Sequence, residues 1–123
     1  MCIRDRLIFE YESKPKGYIN IKHHGNTFIA DWGFYLAPNS EKGTGKMLGE
    51  LALEYGFLVL KLHKICGQAL GFNEKSIKFH QRLGFRQEGC LIDQHYDGSD
   101  FHDVCLFGLI SEDWIRVGSN NDE

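Results

Sequence analysis

The sequence lacks the features that direct a chain to a membrane, a secretory route or a nucleic acid. No run approaches the roughly 18–20 consecutive apolar residues of a membrane-spanning helix. The N-terminus has no long apolar stretch followed by a small-residue cleavage site. The 14 Lys and Arg residues are spread along the chain instead of forming a basic stripe. We therefore expect a cytoplasmic protein with neither a membrane nor a nucleic acid as its partner.

Metal-ligand spacings are missing as well. The four cysteines form no CxxC pair, and neither they nor the six histidines show the spacing of a zinc site. The sequence thus predicts no metal site. Cys66, Cys90 and Cys105 each fall in a predicted strand and are expected to be reduced, buried thiols, with a nucleophilic role for one of them as the alternative.

The length and composition of the chain suit one globular domain. The 123 residues are 42% hydrophobic and 25% charged, with a formal net charge of −3, which allows a modest core. Residues 1–6 fit no periodic pattern and are expected to be a non-native or disordered leader. Residues 7–117 form the predicted domain, and the polar residues 118–123 a disordered tail.

Hydrophobic periodicity predicts three strands, a helix, a strand, a helix and two strands. The first three strands, separated by short turns at 14–17 and 23–26, imply an antiparallel meander. A 3–4 spacing predicts a helix over 45–63, and Asn73 and Gly84 are expected to begin and end the second helix. This order predicts a mixed α/β sheet with helices on its faces. The predicted strands are 7–12, 18–22, 28–36, 65–72, 86–96 and 104–110, the last two joined by a turn at 97–100.

A glycine loop between a predicted strand and a predicted helix is the strongest chemical signal. A helix start presents unpaired backbone N–H groups and the positive end of the helix dipole. Gly43 and Gly45 leave space beside those groups, while Lys42 and Lys46 add positive charge. The segment therefore predicts a pyrophosphate cradle, with a simple tight connection as the alternative.

Two common phosphate motifs are excluded at this loop. A P-loop would need glycine at Ser40 and Ser or Thr at Met47, and a dinucleotide fingerprint would need glycine at Leu48.

Taken together, the loop and the segment 70–85 resemble the GCN5-related N-acetyltransferase (GNAT) family. The loop is similar to the family's Q/R-x-x-G-x-G/A motif, with Ser40 in place of the usual Gln or Arg. The second segment is similar to N-x-x-(A/S)-I-x-x-(Y/H)-x-x-L-G-F on the last helix. The resemblance covers nearly all of 7–114 and implies a GNAT fold, a mixed central sheet with splayed strands flanked by helices. Members carry a strand and two helices before the meander, which we expect to be missing here.

The resemblance implies a direct acetyl transfer from acetyl-CoA to an amine. It gives the chain a set of cofactor-binding positions. The backbone of the strand positions would pair with the pantetheine arm, and the loop positions would hold the pyrophosphate. The positions on the second helix would contact the cofactor from the opposite side. These positions are Phe34, Tyr35 and Leu36 on the strand, Lys42, Gly43, Thr44, Gly45 and Lys46 in the loop, and Asn73 and Ser76 on the helix.

Two side chains are candidates for proton transfer on the same basis. Asp31 stands where many relatives carry a base that acts through water, and its alternative is an ordinary solvent-facing strand carboxylate. His80 stands where many relatives have a tyrosine that protonates the departing thiolate, a task that suits an imidazole. Its alternative is a hydrogen-bonded residue on the packed side of the helix.

The acceptor is expected to be a small-molecule amine. Within the superfamily, residues 66–68, 73–80 and 85–89 look most like the sugar-nucleotide enzymes of pseudaminic acid synthesis. That resemblance implies the 4-amino group of UDP-4-amino-4,6-dideoxy-N-acetyl-β-L-altrosamine. The alternatives are a protein N-terminus, a polyamine, or an acetyl-CoA-binding chain without turnover, since the expected loss of the front would affect the acceptor pocket. The sequence leaves the oligomeric state open, a homodimer being one option.

Overall fold

The computed structural model describes residues 4–11, 14–25, 28–36 and 43–115. Contacts between Cα atoms divide the chain into two compact units, Met1–Ile65 and Cys66–Glu123. The elements follow the predicted order, which confirms the mixed α/β class. They are β1 (Arg4–Tyr11), β2 (Lys14–His23), β3 (Ile29–Leu36), α1 (Thr44–Glu54), a π-helical turn (Tyr55–Val59), β4 (Lys64–Leu70), α2 (Glu74–Arg82), β5 (Arg86–Tyr96) and β6 (Phe101–Ile110).

The first unit is the predicted antiparallel meander with α1 packed on it. β2 pairs with β1 on one side and with β3 on the other. Apolar side chains alternate along β2 and β3, so that one face of the sheet is buried and the other is partly exposed. Helix α1 contacts β2 and buries its own apolar side chains. The buried positions are Ile19, Ile21, Ala30 and Trp32 on the strands and Leu48, Ala52, Leu53 and Phe57 on the helical segment.

The ends of the first two strands differ from the prediction. β1 begins at Arg4, three residues before the predicted start, so part of the expected leader belongs to the strand. The turn predicted at 14–17 is wrong, because these residues belong to β2. Pro15 lies opposite Glu10, next to an irregularity in the register that separates Phe9 from Glu10. A bulge tolerates proline within a strand, since the regular backbone ladder is interrupted there.

The first helix is shorter than predicted. Regular α-helix ends at Glu54 and widens into the π-helical turn, whose end is closed by a 3.0 Å hydrogen bond from the Leu60 N–H to the Tyr55 carbonyl. Lys61 then adopts a left-handed conformation with φ 58°, which stops the helix before 61–63. The predicted apolar face is only partly buried, with Met47, Leu51, Leu58 and Val59 exposed.

The second unit contains α2 and three strands in the order β4-β6-β5. Both ends of α2 follow the prediction. Gly84, with φ 100°, forms the left-handed residue after the helix. Hydrogen bonds of 3.0 Å from the Phe85 N–H to the His80 carbonyl and 3.1 Å from the Gly84 N–H to the Gln81 carbonyl complete a Schellman motif.

β5 and β6 form an antiparallel hairpin around the predicted turn. The N–H groups of Ser99 and Asp100 each donate to the Asp97 carboxylate at 2.8 Å, and these bonds together with His102 hold the pKa of Asp97 well below its ordinary value. β5 has its predicted bounds, whereas β6 starts at Phe101 instead of residue 104. The predicted tail, residues 118–123, lies outside the described residues.

Candidate functional site

The start of α1 has the properties of an anion-binding position. Gly43 precedes the helix in a left-handed conformation, φ 92°, which favours glycine. Within the described part of the chain, no side chain caps this helix start, and its first turn holds no acidic residue. Among the described residues, nothing lies within 4 Å of a Cβ placed at Gly43. The N–H groups of Thr44, Gly45 and Lys46 belong to this first turn, where helical backbone has no internal acceptor.

Charge at this position comes from Lys46. Its side chain is 63% exposed and lies 3.9 Å from Glu50 one turn later, a weak surface pair that a diphosphate could readily displace. Lys42, the second predicted cation, and Ser40 lie outside the described residues.

The end of β3 supplies the predicted strand backbone. Phe34, Tyr35 and Leu36 lie opposite Ile19, Tyr18 and Gly17 of β2. The ring of Tyr35 stacks on that of Tyr18 with centroids 5.1 Å apart. Next to the opposite end of β3, and within the first unit, the N–H groups of His63 and Lys64 donate to the Phe28 carbonyl.

Asp31 lies on the partly exposed face of the same sheet. Its Oδ2 is 2.8 Å from Nε2 of His24, and its cross-strand partner is Lys22. The side chain is about half exposed, at 48%. This placement fits the alternative of a solvent-facing carboxylate, and a role as base stays a prediction.

In the second unit, the first turn of α2 holds Asn73 and Ser76 close together. The side-chain oxygen of Asn73 accepts a 3.2 Å hydrogen bond from the Ser76 N–H, which confirms Asn73 as the N-cap. Because the oxygen is committed to the cap, the Nδ2 amide group is what Asn73 can offer to a ligand. Asn73 is exposed, so that group faces solvent.

His80 is packed within the second unit, with only 3% of its surface exposed. Its Nδ1 donates to the Ser76 carbonyl at 2.8 Å, which selects the Nδ1-protonated tautomer of the neutral ring. The ring stacks on Phe107, with centroids 5.0 Å apart and planes 13° apart, and meets the edge of Phe85. Burial lowers the pKa of His80, with the Ser76 bond opposing in part. Its environment matches the packed alternative, while the acid role stays a prediction.

The predicted residues thus form two groups, one in each unit. Residues 34–36 and 43–46 lead from the end of β3 into the start of α1, and Asn73, Ser76 and His80 follow one another on successive turns of α2. Sequence reasoning missed the stack of His80 on Phe107 and the pairing of Cys90 with Cys105. The packing of α2 against β6 makes the first contact and the cross-strand register makes the second, and the sequence carries no direct signal for either.

Comparison with known proteins identifies the class. The family model described as acetyltransferase (GNAT) domain matches residues 5–86, which include both the glycine loop and α2. The chain belongs to this family.

Individual relatives agree on the class, and one of the two below has a named acceptor. The chain is 33% identical over 86 residues to the SPbeta prophage-derived uncharacterized N-acetyltransferase YokL of Bacillus subtilis, covering 68% of this chain and 49% of that protein. It is 32% identical over 88 residues to the spermidine N(1)-acetyltransferase of Vibrio cholerae, covering 71% of this chain and 51% of that protein. The chain thus spans about half the length of these curated relatives.

Solved structures support the fold. A mutant form of the spermidine/spermine N-acetyltransferase SpeG from Vibrio cholerae superposes with a TM-score of 0.86 at 24% identity, over 93% of this chain and 70% of that one. A dodecameric structure of spermidine N-acetyltransferase from the same species gives 0.85 at 22% identity, over 93% and 68% of the two chains. These likenesses confirm the GNAT fold.

Two features are absent from the part of the chain that the structure describes. No helix there is long and apolar enough to cross a membrane. No group of three or more His, Cys, Asp or Glu side chains in those ranges could hold a metal ion.

Proposed function

We propose that this chain carries the acetyl-CoA-binding part of an N-acetyltransferase that acts on a small-molecule amine. The observation that supports the proposal is the start of α1, which has a left-handed glycine, no described side-chain cap and no acidic residue in its first turn. The N–H groups of Thr44, Gly45 and Lys46 would hold the diphosphate. The backbone of Phe34, Tyr35 and Leu36 would pair with the pantetheine arm, and the Asn73 amide would donate to it.

The chemistry requires two proton movements. A neutral amine attacks the acetyl carbonyl, the C–S bond breaks, and the departing thiolate takes up a proton. Asp31 could accept the amine proton through water, since its carboxylate is half exposed. For His80 to donate a proton, its ring would have to be charged, and burial opposes that state.

Calorimetric titration with acetyl-CoA tests the cofactor site. A Gly45→Asp substitution places a carboxylate in the proposed cradle, where like charges about 4 Å apart repel by ~1–4 kcal/mol. We expect binding by the parent chain and at least about tenfold weaker binding by the variant. Gly89→Asp is the matched control, because it adds the same charge where a Cβ meets none of the described residues within 4 Å. A folded parent chain that fails to bind acetyl-CoA would contradict the proposal.

A polyamine is the first candidate acceptor. The supporting observation is the likeness to spermidine N(1)-acetyltransferases, at 32% identity to that of Vibrio cholerae. A UDP-linked 4-amino-4,6-dideoxy sugar, as in pseudaminic acid synthesis, is the second candidate. It is supported by the resemblance of residues 66–68, 73–80 and 85–89 to enzymes of that route.

Release of free CoA thiol, measured with each acceptor in parallel, separates these candidates. Turnover with spermidine and none with the UDP-amino sugar supports the first, and the reverse result supports the second. Binding of acetyl-CoA without turnover of either compound or of a peptide N-terminus would identify a binding chain that does not catalyse transfer. A His80→Gln variant with unchanged turnover would remove His80 from the catalytic residues.

We also propose that the chain self-associates, at least as a homodimer. The support is the dodecameric spermidine N-acetyltransferase of similar fold. Light scattering of the purified chain measures its mass in solution, and a 14.1 kDa species at all concentrations would contradict the proposal.

A further inference from the structure

Two cysteines of the second unit face each other across the β5–β6 hairpin. Cys90 and Cys105 are direct cross-strand partners, and their sulfur atoms are 3.3 Å apart. Both are free thiols, Cys90 exposed and Cys105 buried. The sequence-based expectation of three buried thiols is therefore confirmed for Cys105 and wrong for Cys90, while Cys66 is only partly buried.

The register places these residues within reach of a covalent bond. Directly opposed residues of antiparallel strands have Cα atoms about 4.5–5.5 Å apart, inside the range of about 4.4–6.8 Å that disulfides span. The sulfur atoms need to approach to about 2.0 Å, a change that side-chain rotation can supply without moving the strands. Irregularities between Gln87 and Gly89 and between Leu91 and His95 lie on either side of the pair, so the local backbone can adjust.

We propose that Cys90 and Cys105 form a reversible dithiol pair that closes to a cross-strand disulfide when it meets a small-molecule disulfide. This is a modification site separate from the residues assigned to acetyl-CoA.

The two thiols have different roles in the reaction. Cys90 is exposed and meets the oxidant first, and the Gln87 side-chain amide lies 3.8 Å from its sulfur. The hydrogen bond with Cys90 and burial raise the pKa of the Cys105 thiol, which favours its protonated form.

The exchange balances with oxidised glutathione as the reagent. The Cys90 thiolate attacks one glutathione sulfur, the glutathione S–S bond breaks, and one glutathione thiolate leaves. The Cys105 sulfur then loses its proton and attacks the sulfur of Cys90, which releases the second glutathione. Two protein thiols are oxidised, one disulfide is reduced, and the two protons pass to the two glutathione thiolates.

Incubation of the purified chain with oxidised glutathione tests the proposal. We expect free thiols to fall from four to two per chain, with the loss of two hydrogens in the intact mass and no retained glutathione. Cleavage at the aspartates between the two cysteines, Asp93 to Asp103, should give peptides that stay joined until a reductant is added. Stable glutathione on Cys90 with Cys105 still free would overturn the proposal.

Serine variants test whether Cys90 and Cys105 are the two residues that form the disulfide. Cys105→Ser should stop the reaction at the mixed disulfide and accumulate glutathione on Cys90. Cys66→Ser is the matched control, because Cys66 lies on β4 and is not a member of the β5–β6 pair, so its removal should leave disulfide formation unchanged. If Cys66→Ser abolishes the disulfide, or if Cys105→Ser still loses two thiols within one chain, the assigned pair is wrong.

Discussion

His80 shows how one polar side chain can be accommodated in an apolar setting. The Ser76 carbonyl accepts its Nδ1 proton, and Phe107 and Phe85 cover the ring. A neutral imidazole thus behaves as an aromatic core residue with one satisfied hydrogen bond. The same packing disfavours the protonated, charged form of the ring, because burial lowers the pKa of His80.

Replacing His80 separates packing from hydrogen bonding. We expect His80→Ala to lower the free energy of unfolding by about 3 kcal/mol, because it leaves a cavity beside Phe107. His80→Phe keeps an aromatic ring and loses the bond to Ser76, for about 1 kcal/mol. Urea unfolding followed by circular dichroism measures both values. An alanine variant as stable as the parent would show that the ring is not part of the core.

Helix α2 is an element whose two ends were predictable. Asn73 and Gly84 act through contacts with residues three to five positions away, so their roles depend little on the rest of the fold. The end of α1 was not predictable in the same way. Its apolar spacing continues to residue 62, yet the backbone widens at Tyr55–Val59 and then turns at Lys61.

Two substitutions of Asn73 distinguish its cap from its proposed ligand contact. Asn73→Ala removes the bond to the Ser76 N–H and should destabilise the protein by about 1 kcal/mol. Asn73→Asp keeps the capping oxygen and replaces the amide group by an oxygen that cannot donate. We expect near-parental stability and weaker acetyl-CoA binding for Asn73→Asp, measured by calorimetry. Equal affinity of this variant and the parent would limit Asn73 to its capping role.

A substitution of Gly84 tests the C-terminal end of α2. Its φ of 100° is strained for any residue with a Cβ, so Gly84→Ala should lower the free energy of unfolding by about 1–2 kcal/mol. Gly89→Ala serves as the control, because its Cβ would have no neighbour within 4 Å in the described ranges and its backbone φ lies outside the left-handed region. Thermal unfolding compares the two, and equal losses would refute the conformational explanation.

At the scale of the whole molecule, the burial of His80 predicts a pH dependence of stability. Burial lowers the pKa of His80 from its ordinary value of 6.5, so the unfolded chain takes up this proton first as the pH falls. The unfolded state then holds more protons, and the free energy of unfolding decreases below about pH 6.5, by at most ~1.4 kcal/mol per pH unit for one proton. Above that pH, the contribution of His80 to the free energy of unfolding is constant.

Urea unfolding of the parent and of His80→Phe between about pH 7.5 and 5.5 isolates this effect, because the other titrating groups are common to both. The parent should lose more stability than the variant as the pH falls. Parallel curves would show that His80 takes up its proton equally well in the folded and unfolded chain.

The cysteine pair illustrates a limit of sequence reasoning at this scale. Both strands and the turn at 97–100 were predicted, and regular pairing outward from Tyr96 and Phe101 would place Ile92 opposite Cys105. The irregularity between Leu91 and His95, with Asp93 at φ 51°, shifts the register so that Cys90 takes that place. The Asp93 N–H donates to the Asp103 side chain at 2.9 Å within this irregularity.

The sequence by itself determined the order of strands and helices, both ends of α2 and the glycine loop at the start of α1. These features rest on side-chain periodicity and on hydrogen bonds between near neighbours, which short segments specify alone. Only the tertiary structure decided the burial of His80 against Phe107, the early end of α1 and the pairing of Cys90 with Cys105. Each of these depends on strand register or packing between distant segments, where one bulge or one left-handed residue changes which side chains meet.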